Sequence, residues 1–114
     1  MLAHTSLDAA EVDALVRASS DVVLLDVREP HEFAAGHAPL ATNLPLADVT
    51  TRCHELPRRS RVVCVCRSGS RSAQATEMLR RCGFDVVDMS GGMQRWSEQG
   101  RPMVGTGGRR GTLV

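Results

Sequence analysis

The chain is predicted to form a small α/β domain, in which a mostly parallel β-sheet carries helices on both faces. Three short, continuously apolar runs, at residues 21–27, 61–65 and 84–89, are typical of strands buried on both sides. Segments with helical signals separate these runs, and such alternation is typical of an open parallel sheet. The length of 114 residues allows one hydrophobic core and is too short for two domains.

The residues before the first strand are predicted to form a helix, because apolar side chains recur there at roughly helical spacing. Thr5 or Ser6 is the expected N-cap. Between the first and second strands the signals are weaker, and Gly36 and Pro57 mark places where elements should end. The elements predicted there are a helical turn over residues 29–33, a weak strand over 41–44 and a helix over 47–56.

The second half of the chain shows stronger signals. A helix is predicted from Ser72 to Gly83, and Gly91 and Gly92 open a last helix that carries Trp96. Residues 104–114 are rich in glycine and carry few apolar side chains. The prediction is therefore one domain over residues 1–103, followed by a loosely held tail over 104–114.

Composition and charge exclude several classes of protein. All fourteen basic residues are arginine, thirteen are acidic, and the formal charge is +1, so the basic surplus that binds nucleic acid is missing. No apolar run is long enough for a transmembrane helix, and the first residues lack the apolar centre of a signal peptide. We therefore expect a cytoplasmic protein with four reduced cysteines, bound to neither nucleic acid nor membrane.

The segment between the second strong strand and the helix after it carries the chemistry. It reads Cys66, Arg67, Ser68, Gly69, Ser70, Arg71, Ser72. Ligands of parallel sheets bind at the carboxyl ends of the strands, where small residues let backbone N–H groups turn toward an anion. The positive end of the following helix and the two arginines favour a thiolate at Cys66. The loop is thus predicted to place a nucleophile beside an anion site, the alternative being a tight polar turn with a packed cysteine.

The sequence resembles the rhodanese family of sulfurtransferases from about residue 21 to residue 102. Four motifs carry the resemblance in order: Asp26-Val27-Arg28-Glu29, FAAGHAPLATNLP at 33–45, the loop at 66–72, and GFDVVDMSGGMQRWSEQGRP at 83–102. Leu40 departs from the pattern, because the family usually has glycine there. Related phosphatases and arsenate reductases are characterised by Cys-x5-Arg loops, in which the arginine lies six positions after the cysteine. Here Arg71 lies only five positions after Cys66, so the loop is one residue shorter than a loop that binds phosphate.

The resemblance implies a two-step transfer of sulfane sulfur without a cofactor. Cys66 would attack the outer sulfur of thiosulfate or of another small anionic persulfide donor, and a persulfide would form. An acceptor such as cyanide, a small thiol or a protein thiol would then take the sulfur. Residues 67–72 would bind the donor, with Arg67 as the first candidate for its sulfonate; Arg71 would either bind the donor or pair with an acid and brace the loop. The alternative is a non-catalytic rhodanese-like binding or sensing module.

The remaining polar candidates are expected to be structural. Asp26 and Arg28, at the carboxyl end of the first strand, are predicted to form a structural ion pair or hydrogen-bond network near the site, the alternative being a catalytic role. Cys64 is expected to be a core thiol, and Cys82 is expected to pack near its helix end. Cys53 and His54 are adjacent, but no second pair has metal-ligand spacing, so no metal site is predicted.

Overall fold

A five-stranded, entirely parallel sheet forms the centre of the molecule in the computed structural model, which describes residues 6–114. The strand order is β1-β5-β4-β2-β3. The strands are β1 (Ser6–Leu7), β2 (Val22–Asp26), β3 (Thr42–Asn43), β4 (Arg61–Val65) and β5 (Asp85–Met89). The predicted α/β class is therefore confirmed, and β4 lies in the middle of the sheet.

Helices cover both faces of the sheet. They are α1 (Ala9–Ala18), α2 (Pro30–Ala35), α3 (Val49–Arg52), α4 (Ser70–Arg81) and α5 (Gly92–Glu98). Side chains of β4 alternate between two apolar clusters: Val62 and Cys64 pack with α3 and α4, while Val63 and Val65 pack with α1 and α5. This alternation explains why β4 is apolar at almost every position. No helix within residues 6–114 has the length and apolar character needed to span a bilayer.

The first helix begins later than predicted. Asp8 is its N-cap: the Asp8 carboxylate accepts the Glu11 N–H at 2.8 Å, and the Glu11 carboxylate accepts the Asp8 N–H at 3.1 Å. This reciprocal pair satisfies two of the N–H groups that a helix start leaves without partners. Ser6 instead belongs to the short strand β1, and Thr5 lies outside the described residues.

The segment predicted as a helix over residues 47–56 is helical but irregular. The four-residue α3 lies directly between 3-10 turns at Leu46–Asp48 and Cys53–Glu55. Three β-branched residues in a row, Val49 to Thr51, disfavour a longer helix. Leu40, the departure from the family pattern, lies 61% exposed beside a turn that the Ala41 N–H closes on the Ala38 carbonyl at 3.0 Å.

Most residues of the segment 104–114 are exposed, but backbone hydrogen bonds tie it to α2 and the turn after it. His37 and Val104 exchange two backbone hydrogen bonds of 2.9 Å, and the Thr112 N–H donates to the Ala35 carbonyl at 2.8 Å. A Cβ on Gly36 would collide with the backbone of Thr112. The glycines let the chain lie close to α2, so that backbone contacts replace the missing apolar side chains.

Candidate active site

The loop after β4 is held from behind by the start of α5. The N–H groups of Met93 and Gln94 donate to the carbonyls of Cys66 and Arg67 at 2.7 and 2.9 Å. Gly92 has φ +58°, and a Cβ there would lie 2.5 Å from each of these carbonyl oxygens. Glycine at this position is therefore required twice, by its backbone conformation and by the close approach. Sequence reasoning identified Gly92 only as a helix start.

The sulfur of Cys66 lies at the N-terminus of α4. The Gly69 N–H donates to Cys66 Sγ at 3.0 Å, and Ser72 Oγ lies 3.4 Å from the same sulfur. The Ser72 hydroxyl donates to the Gly69 carbonyl at 3.1 Å. Cys66 is only 1% exposed. It is therefore more deeply buried than we expected for a residue at the mouth of the loop. A backbone donor and a hydroxyl thus meet at one buried sulfur, where both can stabilise a thiolate.

The first amides of α4 add to this positive environment. The first backbone bond of the helix runs from Ala73 N–H to the Gly69 carbonyl, so the preceding amides have no acceptor within the helix. Gly69 reaches φ +127°, a conformation that favours glycine, and it directs its own N–H to the sulfur. Ser68 and Ser70 are exposed at the surface of this loop. An anion beside Cys66 would meet the positive end of α4.

Arg71 pairs with an acid that sequence reasoning missed. The two terminal nitrogens of Arg71 donate to the two carboxylate oxygens of Glu32 at 2.6 and 3.0 Å. Hydrogen bonds from Arg71 lower the pKa of Glu32 to about 2, against the opposing effect of burial. The pair joins α4 to α2. This agrees with the alternative in which Arg71 pairs with an acid and braces the loop. The only sequence signal at Glu32 was its spacing from Glu29, which indicates a capping box and says nothing of Arg71.

Arg67 contacts residues outside the loop. Its Nε donates to the backbone oxygen of Val114 at 3.0 Å, and Nη1 lies 3.4 Å from Gln94 Oε1. The side chain therefore extends toward the end of the chain and toward α5. These contacts leave it partly exposed at the edge of the loop.

Asp26 and Arg28 form a fully buried ion pair beside the loop. Arg28 Nη2 donates to Asp26 Oδ2 at 2.7 Å, and both side chains are 0% exposed. Arg28 Nη2 also donates to the Gly36 carbonyl at 2.8 Å. The Asn43 amide donates to the carbonyls of Asp26 and Arg28 at 2.9 and 3.0 Å. The network fixes the carboxyl end of β2, which neighbours β4, and so supports the wall of the site.

Residues 8–99 match the family model for the rhodanese-like domain. The chain belongs to the rhodanese-like family. A sulfurtransferase of Allochromatium vinosum is 36% identical over 99 residues, which cover 86% of this chain and 92% of that protein. The crystal structure of a rhodanese-related protein from Thermoplasma volcanium superposes with a TM-score of 0.81 at 35% identity, covering 89% of this chain and 98% of the other.

A larger relative shares the same fold. The crystal structure of a thiosulfate sulfurtransferase from Pseudomonas aeruginosa matches with a TM-score of 0.82 at 30% identity. The match covers 97% of this chain and 22% of that protein. The rhodanese-like domain described here therefore corresponds to one part of a longer chain in that relative.

Two further side chains lie beneath the loop of this rhodanese-like domain. Burial raises the pKa of Cys64 to about 12, so this strand thiol stays neutral and packs in the core. Burial also raises the pKa of Asp88 on β5, and the neighbouring Ser72 hydroxyl opposes part of that rise. Asp88 had no sequence signal. A carboxyl that protonates more readily places less negative charge close to Ser72.

The other two cysteines lie together, away from the loop. Cys53 Sγ and Cys82 Sγ are 3.3 Å apart, a thiol contact that sequence reasoning did not foresee. The signal was absent from the sequence because 29 positions separate the two residues. Within residues 6–114, no three side chains of His, Cys, Asp or Glu are grouped so that they could hold a metal ion.

Proposed function

We propose that this domain transfers a sulfane sulfur from a small anionic donor, such as thiosulfate or another persulfide donor, to a thiophilic acceptor through a persulfide on Cys66. Membership of the rhodanese-like family and the relatives named sulfurtransferases support a sulfur-transfer function. The proposal of a persulfide on Cys66 is carried by one observation. The buried Cys66 sulfur lies at the positive end of α4 and accepts a hydrogen bond from the Gly69 N–H at 3.0 Å.

In the first step, the Cys66 thiolate attacks the outer sulfur of the donor. A new sulfur–sulfur bond forms on the protein, the donor's own sulfur–sulfur bond breaks, and sulfite leaves with the bonding electron pair. In the second step, cyanide or a thiolate attacks the outer sulfur of the persulfide, and the Cys66 thiolate is released. No cofactor takes part, because the thiolate is nucleophile in the first step and leaving group in the second.

The loop residues have separable roles in this proposal. The Gly69 N–H stabilises negative charge on sulfur, and the Ser72 hydroxyl can turn from the Gly69 carbonyl to the thiolate. The amides of residues 70–72 attract the anionic donor, with Ser68 at the exposed rim. Arg67 is free to swing from its surface contacts to the donor's sulfonate.

Arg71 acts as a brace in this scheme, because both of its terminal nitrogens are engaged by Glu32. Asp26 and Arg28 likewise act at a distance from the donor, since their side chains are fully buried. Positioning of the loop is therefore divided among α2, β2 and α5, while binding of the donor rests on the loop itself.

The test is a mass measurement on the intact protein after incubation with thiosulfate. We expect a gain of about 32 Da, the mass of one sulfur atom, which cyanide then removes. Cys66→Ala should show no gain, whereas Cys64→Ala should gain the same mass as the unmodified chain. Cys66→Ala should also remain folded by circular dichroism, because the substitution removes one small buried group, at a cost of about 1 kcal/mol.

Two results would contradict the proposal. A persulfide on Cys66→Ala would assign the nucleophile to another cysteine. Absence of any adduct on the unmodified chain, while Cys66 still reacts with a maleimide, would instead favour a rhodanese-like binding or sensing module without turnover.

A further inference from the structure

A pair of thiols that is separate from Cys66 lies on the face of the sheet that α3 and α4 cover. Cys53 opens the turn Cys53–Glu55, and Cys82 is the C-cap of α4. Their sulfurs are 3.3 Å apart, and both residues pack at the margin of the apolar cluster under α4. A disulfide has an S–S length near 2.05 Å, so the sulfurs would need to approach by only about 1.2 Å.

This pair is separated from the Cys66 loop by the length of α4. The helix contains twelve residues, with the loop at its N-terminus and Cys82 just after its C-terminus. At 1.5 Å per residue, the two ends are about 18 Å apart. Cys66 therefore cannot react directly with either sulfur of the pair in the folded chain.

The two thiols of this pair are also more accessible to solvent than the other two cysteines. Cys53 and Cys82 are partly exposed, whereas Cys64 and Cys66 are buried. The contact with Cys82 and partial burial raise the pKa of Cys53, so it is a neutral thiol near neutral pH. Arg58 lies beside the pair, donating to the Cys82 carbonyl at 3.2 Å and favouring the thiolate of Cys53. A small reagent can thus reach two sulfurs that already touch.

We propose that Cys53 and Cys82 form a redox-active dithiol site, separate from Cys66, which a low-molecular-weight disulfide oxidises to an intramolecular disulfide. The Cys53 thiolate attacks one sulfur of the small disulfide, a mixed disulfide forms, and one small thiolate leaves. Cys82 then loses its proton to solvent and attacks the Cys53 sulfur, and the second small thiolate leaves. Two protein thiols are oxidised, and one small disulfide is reduced to two thiols.

The bond would tie the end of α4 to the segment between β3 and β4. It closes a loop across 29 positions of sequence, which restricts the unfolded chain. For a chain of this size, we expect the melting temperature to rise by about 10 °C on oxidation. α4 would then be fixed at its far end, while its N-terminus continues to hold the Cys66 loop.

The experiment treats the full chain with oxidised glutathione at about pH 8.5, where thiol exchange is faster. The chain is then unfolded in denaturant, so that N-ethylmaleimide also reaches the buried Cys64 and Cys66 and blocks every remaining thiol. Trypsin cleaves after arginine, which places Cys53 in peptide 53–58, Cys82 in peptide 82–95, and Cys64 with Cys66 in peptide 62–67. We expect peptides 53–58 and 82–95 to be joined, two thiols to be blocked, and dithiothreitol to reverse the link.

Matched variants make the outcome decisive. Cys64→Ala should form the same link, whereas Cys53→Ser should form none and carry a single glutathione on Cys82. Links that include peptide 62–67, or separate stable glutathione adducts on Cys53 and Cys82, would overturn the proposal. Four blocked thiols after oxidation would overturn it as well. None of these results depends on the thiosulfate adduct at Cys66, so the two proposals fail independently.

Discussion

The carboxylate of Glu32 gives the site a pH dependence that a single substitution can isolate. Its pKa is about 2 in the folded chain against an ordinary value of 4.5, because Arg71 donates two hydrogen bonds to it. A depressed pKa stabilises the folded state above pH 4.5, and this stabilisation is lost as the pH falls toward 2. We expect it to contribute on the order of 2 kcal/mol at neutral pH, discounted for the partial exposure of Arg71.

The measurement is urea unfolding of the unmodified chain and of Glu32→Gln. At about pH 6, the variant should be less stable by roughly 2 kcal/mol, and at about pH 2.5 only about a quarter of that difference should remain. The other carboxylates titrate in both chains, so the difference between the chains reports Glu32. An unchanged difference at the two pH values would show that the ion pair adds nothing to stability.

Because Asp26 and Arg28 form a buried pair, we expect substitutions at the two positions to have strongly non-additive effects on the free energy of unfolding. Asp26→Asn leaves the Arg28 charge without its partner at 0% exposure, and should cost about 3–5 kcal/mol. Arg28→Met should be costly for the same reason. The chain with both substitutions should lose much less than the sum of the two, because no charge is left uncompensated. Free energies of unfolding for the four chains test this, and simple additivity would contradict it.

At the scale of elements, the contact between α5 and the loop predicts a different cost for two glycines. Gly92→Ala should destabilise the chain by about 3 kcal/mol or more and slow the gain of sulfur at Cys66, because its Cβ would collide with the Cys66 and Arg67 carbonyls. Gly100 also has a positive φ, +69°, but a Cβ there meets nothing within 4 Å.

Gly100→Ala is therefore the matched control, with an expected cost of about 1 kcal/mol from backbone strain alone and no change in sulfur uptake. Urea unfolding and the rate of mass gain with thiosulfate measure the two effects. Equal losses in both variants would show that the close approach of α5 to the loop has no special importance.

The elements that sequence reasoning found are those whose signal is local. The strands β2, β4 and β5 carry apolar runs that only burial on both faces explains, and the Cys66 loop consists of seven consecutive residues. β1 has two residues, too few for any pattern, and it is defined by pairing with β5 across the chain. Glu32 reaches the loop from 39 positions away, a distance that no spacing rule covers.

At the scale of the whole molecule, strand order explains why the loop is where it is. The chain runs from β2 outward to β3 and then returns to β4, on the other side of β2. Such a reversal opens a crevice at the carboxyl ends of the two strands, where open α/β sheets bind ligands. Cys66 follows β4 at this reversal, and Asp26 ends β2 directly beside it. The order could not be read from the sequence, because all three central strands are alike in composition.

The backbone hydrogen bonds of the segment 104–114 predict that a shortened chain is weakened but still folds. The family model ends at residue 99, and both large apolar clusters are built mainly from residues before 104. Removing 104–114 deletes the two bonds between His37 and Val104 and the bond from Thr112 to Ala35, each worth about 1 kcal/mol. We expect the 1–103 chain to unfold cooperatively in urea, with a free energy about 2–4 kcal/mol lower.

A second, smaller truncation separates the contributions of the segment. Removing only Val114, which is 53% exposed, keeps those three backbone bonds and the apolar contacts of Leu113 but frees Arg67 from Val114, so stability should fall by less than about 1 kcal/mol. Sulfur uptake from thiosulfate should persist in both shortened chains, because the Cys66 loop is held by α5 and α2. If the 1–103 chain is as stable as the whole chain, the segment 104–114 is only a loosely held tail. If the 1–103 chain fails to fold, residues 104–114 are an essential part of the domain.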